Sequence, residues 1–289
     1  MEQALSDKPL SGERLRPARL MAAMRHGALD GGKRLRPFLV MEAAALFDIP
    51  PQAAITAACA LECVHCYSLI HDDLPSMDND MVRRGRPTVH AAYGEATAIL
   101  AGDALLTLAF DLLAGEDAHG DPARRIELVQ ILARASGMGG MVGGQMLDLA
   151  AEGRFADGVP LPLSLADIRD LQAMKTGALL AVAVEMGAVL GAAAPPLRAA
   201  LAAYGRAIGA AFQIADDILD LEGSEEMVGK AVGKDAEAGK ATLVAALGRD
   251  AAGELLDELV REAEAALNPF AEKGRTLAEA ARFVAARTT

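Results

Sequence analysis

Two aspartate-rich segments lie far apart in the chain, and basic residues follow each. The first reads His71-Asp72-Asp73-Leu74-Pro75-Ser76-Met77-Asp78-Asn79-Asp80, with Arg83 and Arg84 behind it; the second reads Gln213-Ile214-Ala215-Asp216-Asp217-Ile218-Leu219-Asp220, with Lys230, Lys234 and Lys240 behind it. Crowded carboxylates repel unless a cation joins them. Hard divalent ions such as Mg²⁺ take oxygen ligands and complete their shell with phosphate and water. Arg suits bidentate phosphate contacts, and Lys acts as a mobile point charge. The pattern suggests a diphosphate held by metal ions. Asp216 and Asp220 are one helical turn apart, so their carboxylates share a face, where like charges destabilise a bare helix. A solvated acidic face is the competing account, and the apolar flanks speak against it. A regular helix would not bring Asp72 and Asp78 together. Pro75 ends or kinks a helix because it lacks an N–H, and such a break can return Asp78 to Asp72. Alone, this segment reads equally well as an acidic turn. A third basic group, Lys33, Arg34 and Arg36, sits in the turn Gly31-Gly32-Lys33-Arg34-Leu35-Arg36-Pro37. It is no Walker loop, since the spaced glycine and the Ser/Thr after Lys are missing.

The elements that must position these groups are helices. The 289 residues are 52% hydrophobic but only 3% aromatic, with no Trp, and Ala and unbranched side chains lose little freedom in a helix. Helical spacing of apolar residues runs over 53–71, 96–113, 126–151, 165–190, 196–221 and 251–267, with Gly- and Pro-rich breaks between. Alternating strand patterns are absent, and no linker divides the chain. The expectation is one all-α domain over 1–289 with both aspartate segments at the C-terminal ends of long helices, facing one cavity. Gly139, Gly140, Gly143 and Gly144 fall inside the fourth-from-last stretch, where each costs roughly 1 kcal/mol against Ala; close helix packing or a nearby ligand would explain them. Cys59, Cys63 and Cys66 share a helical face, yet Cys59 and Cys66 are roughly 10 Å apart along the axis, too far for one zinc with bonds of ~2.3 Å. They read as small core thiols.

A net charge of −12 argues against nucleic acid as a partner. The N-terminal segment has no signal-peptide core, and no uninterrupted apolar run reaches ~20 residues. The chain therefore reads as cytoplasmic, without stable membrane insertion.

Taken together, GGKRLRP (31–37), YSLIHDDLPSMDNDMVRRGRPTVH (67–90), AGDALL (101–106), GGQMLDL (143–149), MKTGALL (174–180), FQIADDILD (212–220) and GKDAEAGKAT (233–242) closely resemble the trans-isoprenyl diphosphate synthases, the bacterial farnesyl diphosphate synthases most of all. The motifs occur in the family's order along nearly the whole chain. The resemblance implies an orthogonal helix bundle around a central cavity and a homodimer. It implies a Mg²⁺-dependent condensation of isopentenyl diphosphate with an allylic diphosphate, dimethylallyl or geranyl, to a short all-trans product. It further implies that Asp72, Asp73 and Asp78 bind Mg²⁺ on one side of the allylic diphosphate and Asp216, with Asp217 and Asp220, on the other, several ions per site. Arg83, Lys175, Lys230 and Lys240 would contact that diphosphate, while Lys33, Arg36, His65 and Arg84 would hold isopentenyl diphosphate. Thr176 and Gln213 would line the allylic cation. Residue by residue, His65 alone would pass for a buried structural histidine and Lys175 for a snorkelling surface lysine. Two departures stand out: Thr242-Leu243-Val244 replaces a frequent Thr-Tyr-Pro, and His26 stands where Tyr is frequent.

The elongating chain should run down from Asp72 between apolar helices. Tyr67 lies five residues before Asp72, and in the family a bulky residue there acts as a floor. That favours a fifteen-carbon product, farnesyl diphosphate; a geranylgeranyl diphosphate synthase is the near alternative. A terpene cyclase would lack GGKRLRP, and a non-catalytic regulatory subunit would have lost aspartates or cations that this chain keeps.

Overall fold

Several helices begin at a start signal in the sequence, a Pro in the first turn or a capping Ser or Asp. The computed structural model describes residues 1–29, 31–222 and 242–286. Helix α1 is Ala18–Leu29, α2 Leu35–Ala45 and α3 Pro51–Asp72. Pro51 opens α3 at a first-turn position, where its missing N–H is no loss. A two-stranded hairpin follows, β1 Val82–Arg83 and β2 Arg86–Pro87, then α4 (Val89–Tyr93) and α5 (Glu95–Ala114). Next come α6 (Pro122–Ser136), α7 (Met141–Ala151) and α8 (Leu165–Gln172). Asp121 caps α6 by accepting from the Ala123 amide, and Ser164 with Asp167 forms a capping box on α8. A π-helical turn, Ala173–Gly177, joins α8 to α9 (Ala178–Leu190). Helix α10 (Pro195–Glu222) is the longest described. Helices α11 (Leu243–Leu247), α12 (Arg249–Ala266) and α13 (Arg275–Ala286) complete the chain, with a 3₁₀ segment, Asn268–Gly274, before α13.

The fold is all-α, as expected. One hydrophobic cluster runs through it from Leu5 to Val284, with α3 and α9 the most deeply buried helices. Small residues let backbones approach. A Cβ on Gly187 would lie 2.6 Å from the Ala44 amide of α2, and one on Gly209 would lie 3.0 Å from Gly177 Cα. Cys63 and Cys66 are buried and Cys59 half-buried, all unbridged, as the thiol expectation required. Burial pushes the Cys66 thiol up to about 12, with Glu62 adding to the shift.

Three expectations are corrected and one reading is extended. Stretch 126–151 is two helices, not one, because Gly137–Gly140 interrupts it; a Cβ on Gly140 would sit 2.0 Å from the Ala135 carbonyl oxygen, so a helical continuation with a side chain there is blocked. Stretch 165–190 carries the π-helical turn, for which the apolar period holds no signal. A short hairpin exists although no alternating pattern announces it, because Arg84 (φ 54°) and Gly85 (φ 73°) form a two-residue turn with both central residues left-handed. Finally, three stretches, Pro51–Asp72, Glu95–Ala114 and Leu165–Leu190, are long and apolar enough to cross a membrane by length and composition. Counting only uninterrupted runs missed them. In the fold, 67% of the first window and 61% of the third are buried, against 33% of the second.

Candidate active site

Helices α3 and α10 each end in carboxylates, where the helix dipole already presents negative charge. Asp72 closes α3, and Asp216, Asp217 and Asp220 lie in the last two turns of α10. Between them opens a cavity of about 740 Å³ lined by Lys33, Arg34, Arg36, Glu62, His65, Leu69, Asp80, Arg83, Arg84, Thr176, Phe212, Gln213 and Asp216, among others. The structure therefore brings the GGKRLRP turn, the hairpin arginines and the second aspartate segment to one space.

Beyond Pro75 the chain curls back. The Asp78 amide donates to the Asp72 carbonyl at 2.8 Å, and Asn79 adopts a left-handed φ of 53°. Arg154 ties this curl down by donating to the Ser76 and Met77 carbonyls at 2.8 and 3.1 Å. Burial lifts the Asp72 carboxyl to about 6; Lys175 opposes the rise, and Asp78 adds to it. Asp73 is buried and engaged, with Arg83 Nε and Nη2 both 2.7 Å from its Oδ1. Asp217 is likewise buried and accepts from Gln172 (2.9 Å) and Gln213 (2.8 Å). Asp72, Asp73, Asp78, Asp217, Asp220, Lys175 and Tyr67 do not line the 740 Å³ cavity itself. Among the described residues no three metal-binding side chains form a closed cluster.

The opposite wall is cationic. His65 sits below its ordinary range because burial disfavours its charge and Arg36, Arg84, Arg83 and Arg34 repel a proton. A neutral imidazole among four arginines leaves a site built for an anion, within a chain of net charge −12. Arg36 reaches 3.5 Å from His65 Nε2, and its own Nε is buried with no partner among the described residues. Burial depresses the Arg36 guanidinium to about 10, which still leaves it charged at neutral pH. Arg34 does different work. It pairs with Glu62 at 2.5 Å and donates to the Ala28 and Leu29 carbonyls, tying the turn to the end of α1.

Lys175 and Thr176 occupy the π-helical turn. Lys175 pairs with Asp148 of α7, and a Cβ on Gly144 would lie 2.2 Å from the Lys175 amide nitrogen. Gly144 thus exists for backbone contact with the turn that carries Lys175. Tyr67 is buried, edge-on to His71 with ring centroids 5.7 Å apart, and burial with the Asp72 charge pushes its hydroxyl up to about 12. His71 in turn packs on Gly102, where a Cβ would meet its ring at 2.1 Å.

Lys230 and Lys240 lie outside the described residues. Residues of the site with no assigned role in the sequence include Glu62, Asp80, Asp148 and Phe212. Glu62 could have been found, since a lone Glu in an apolar helix needs a buried partner. Asp148 sits within GGQMLDL, but nothing local says that it meets Lys175.

The fold and the site define a helical enzyme architecture for anionic, diphosphate-like ligands, and comparison with known proteins gives the family. Residues 17–272 match the polyprenyl synthetase family. The chain is 46% identical to the farnesyl diphosphate synthase of Escherichia coli K12, over 88% of this chain and 83% of that protein. It is 42% identical to the chloroplastic geranylgeranyl pyrophosphate synthase 9 of Arabidopsis thaliana, over 94% and 75%. A crystal structure of an apo FPP/GFPP synthase from Zymomonas mobilis superposes with a TM-score of 0.84 at 44% identity, covering 98% of this chain and 92% of that one. The chain belongs to the polyprenyl synthetase family.

Proposed function

We infer that this protein is a short-chain prenyltransferase, a farnesyl diphosphate synthase. The carrying observation is the four-arginine wall around neutral His65, set across one cavity from Asp216. In the reaction the C–O bond of the allylic diphosphate breaks and leaves an allylic cation. The double bond of isopentenyl diphosphate attacks that cation, and a proton departs to the released diphosphate. No protein nucleophile is required.

The chain's own groups can meet each demand. Lys33, Arg36, His65 and Arg84 hold isopentenyl diphosphate through charge and N–H donors. Thr176 and Gln213 turn oxygen dipoles toward the cation, which they stabilise without reacting. Lys175, oriented by Asp148, Arg83, oriented by Asp73, and Lys230 and Lys240 take the allylic diphosphate. Mg²⁺ fits the acidic groups on both sides: desolvation, with Asp78 adding to it, holds the half-buried Asp72 carboxyl up at about 6, and a bound cation would favour its charged form. The ion does not need a closed protein cage, because it is ordinarily held by one or two carboxylates plus substrate phosphates. Asp72, Asp73 and Asp78 would hold it from one side and Asp216, Asp217 and Asp220 from the other. When bound, the ions neutralise the charge that develops on the leaving diphosphate.

Tyr67 beneath Asp72 supports a fifteen-carbon product. A geranylgeranyl product is the second reading, favoured by the 42% identity to the plant enzyme named for it. We treat 1–289 as one catalytic domain. A homodimer belongs to the same proposal: α5 is only a third buried and exposes Ile99 and Leu100, an apolar face suited to a second copy.

Incubating the purified chain with isopentenyl and geranyl diphosphates, with Mg²⁺ and with chelator, tests the assignment. Farnesyl diphosphate formed only with Mg²⁺ is expected; no condensation product with either geranyl or dimethylallyl diphosphate refutes it.

A further inference from the structure

The hairpin β1–β2 has two residues per strand, and an isolated hairpin is marginal in water even when longer. Yet it delivers Arg83 and Arg84 to the cavity. Two fastenings outside the cavity hold it. On its exit strand, His26 Nε2 lies 2.7 Å from the Pro87 carbonyl oxygen. A carbonyl only accepts, so Nε2 carries the proton and Nδ1 the lone pair. That lone pair faces the Arg86 guanidinium at 3.5 Å. Tyr93 meets the His26 ring edge-on at 5.5 Å, and Arg19 stands over Tyr93 and donates to its carbonyl. On the entry side, buried Thr88 donates its hydroxyl to the Asp80 carbonyl at 2.8 Å and its amide to the Met81 carbonyl at 3.0 Å. With its one proton used, the Thr88 oxygen accepts from His90 Nδ1 at 3.0 Å.

The two arginines depend on these fastenings unequally. Arg83 is held independently by Asp73. Arg84 crosses Gly32, where a Cβ would lie 2.5 Å from its Nη1, so the position of the hairpin sets where the Arg84 charge falls against Lys33 and Arg36.

We propose that His26 and Thr88 are positioning residues for the isopentenyl diphosphate pocket: they hold the base of the hairpin, His26 from α1 and Thr88 across its two arms, and thereby aim Arg84. The proposal rests on the prenyltransferase assignment. It is tested with His26→Ala, His26→Gln and Thr88→Val in the full chain, by steady-state kinetics and by hydrogen exchange of the amides of residues 82–88. Gln places an amide nitrogen near the Nε2 position and keeps the donor. In His26→Ala, KM for isopentenyl diphosphate is expected to rise about fivefold, the factor made by one hydrogen bond of ordinary net strength. KM for geranyl diphosphate should stay within twofold, hairpin exchange should quicken, and His26→Gln should restore both readouts. Thr88→Val should repeat the pattern by loosening the two arms at the base. Unchanged hairpin exchange in His26→Ala, or an equal rise in both KM values, overturns the proposal. If the unaltered chain forms no product, the prenyltransferase assignment fails by itself, and exchange still decides whether His26 fastens the hairpin.

Discussion

Replacing Gly144 with Ala sets two effects against each other, and the structure decides which wins. Gly144 lies inside α7, where helix propensity favours Ala by roughly 1 kcal/mol. The added Cβ, however, would lie 2.2 Å from the Lys175 amide nitrogen, 2.6 Å from its Cα and 2.8 Å from the Met174 carbonyl carbon. All three are backbone atoms, so no side chain can swing aside; α7 and the π-helical turn must separate. Overpacking of this kind costs typically 1–3 kcal/mol, and the contact with backbone puts it near the upper end. A net loss of about 1–2 kcal/mol follows, a fall in Tm of roughly 2–8 °C for a domain of this size. The same separation displaces Lys175 and, with it, the cavity-lining Thr176, so kcat should fall at least tenfold, because ångström displacements at a reacting centre have large effects on rate. Gly139→Ala is the control: a Cβ there has nothing within 4 Å, and both Tm and kcat should hold. Scanning calorimetry and steady-state kinetics on the two variants read these outcomes. A Tm for Gly144→Ala equal to or above that of the unaltered chain would refute the close-approach argument.

Two further perturbations probe the first aspartate segment. Burial raises the Asp72 carboxyl from 3.8 to about 6, so its ionisation opposes folding; that penalty is absent below the ordinary value and complete above about 6. Asp72→Asn, without divalent ions, should therefore raise stability at pH 7.5 by roughly 3 kcal/mol, and the gain should shrink as pH falls toward 4; a gain independent of pH would contradict the burial account. Tyr67→Ala should shift products from fifteen carbons to twenty or more, read by mass spectrometry of the dephosphorylated alcohols, while an unchanged distribution would remove Tyr67 as the floor of the chain-binding space.

Much of the fold was legible because helical periodicity is local. The stretches 53–71, 96–113 and 196–221 became α3, α5 and α10 with ends shifted by two residues or fewer. Stretch 126–151 failed because three glycines in four residues stop a helix more effectively than an apolar period continues it. Helices α1, α2 and α13 went unnoticed because each is only 11 or 12 residues long, so its apolar period repeats too few times to stand out. The curl that returns Asp78 to Asp72 was readable from Pro75, since a missing N–H acts within its own turn.

Residue types and spacing alone determined that this chain would be helical, that its carboxylates would end two long helices, and that cations would accompany them. Those properties depend on neighbours within a turn or two. Tertiary structure alone decided which carboxylate meets which cation. Asp73 went to Arg83 and Asp217 to two glutamines, while Asp148 took Lys175 and Glu62 took Arg34. Such pairings join groups on different helices, and they depend on how closely the backbones pack. Gly144 against Lys175 and Gly32 beneath Arg84 set that approach, and no local pattern encodes it.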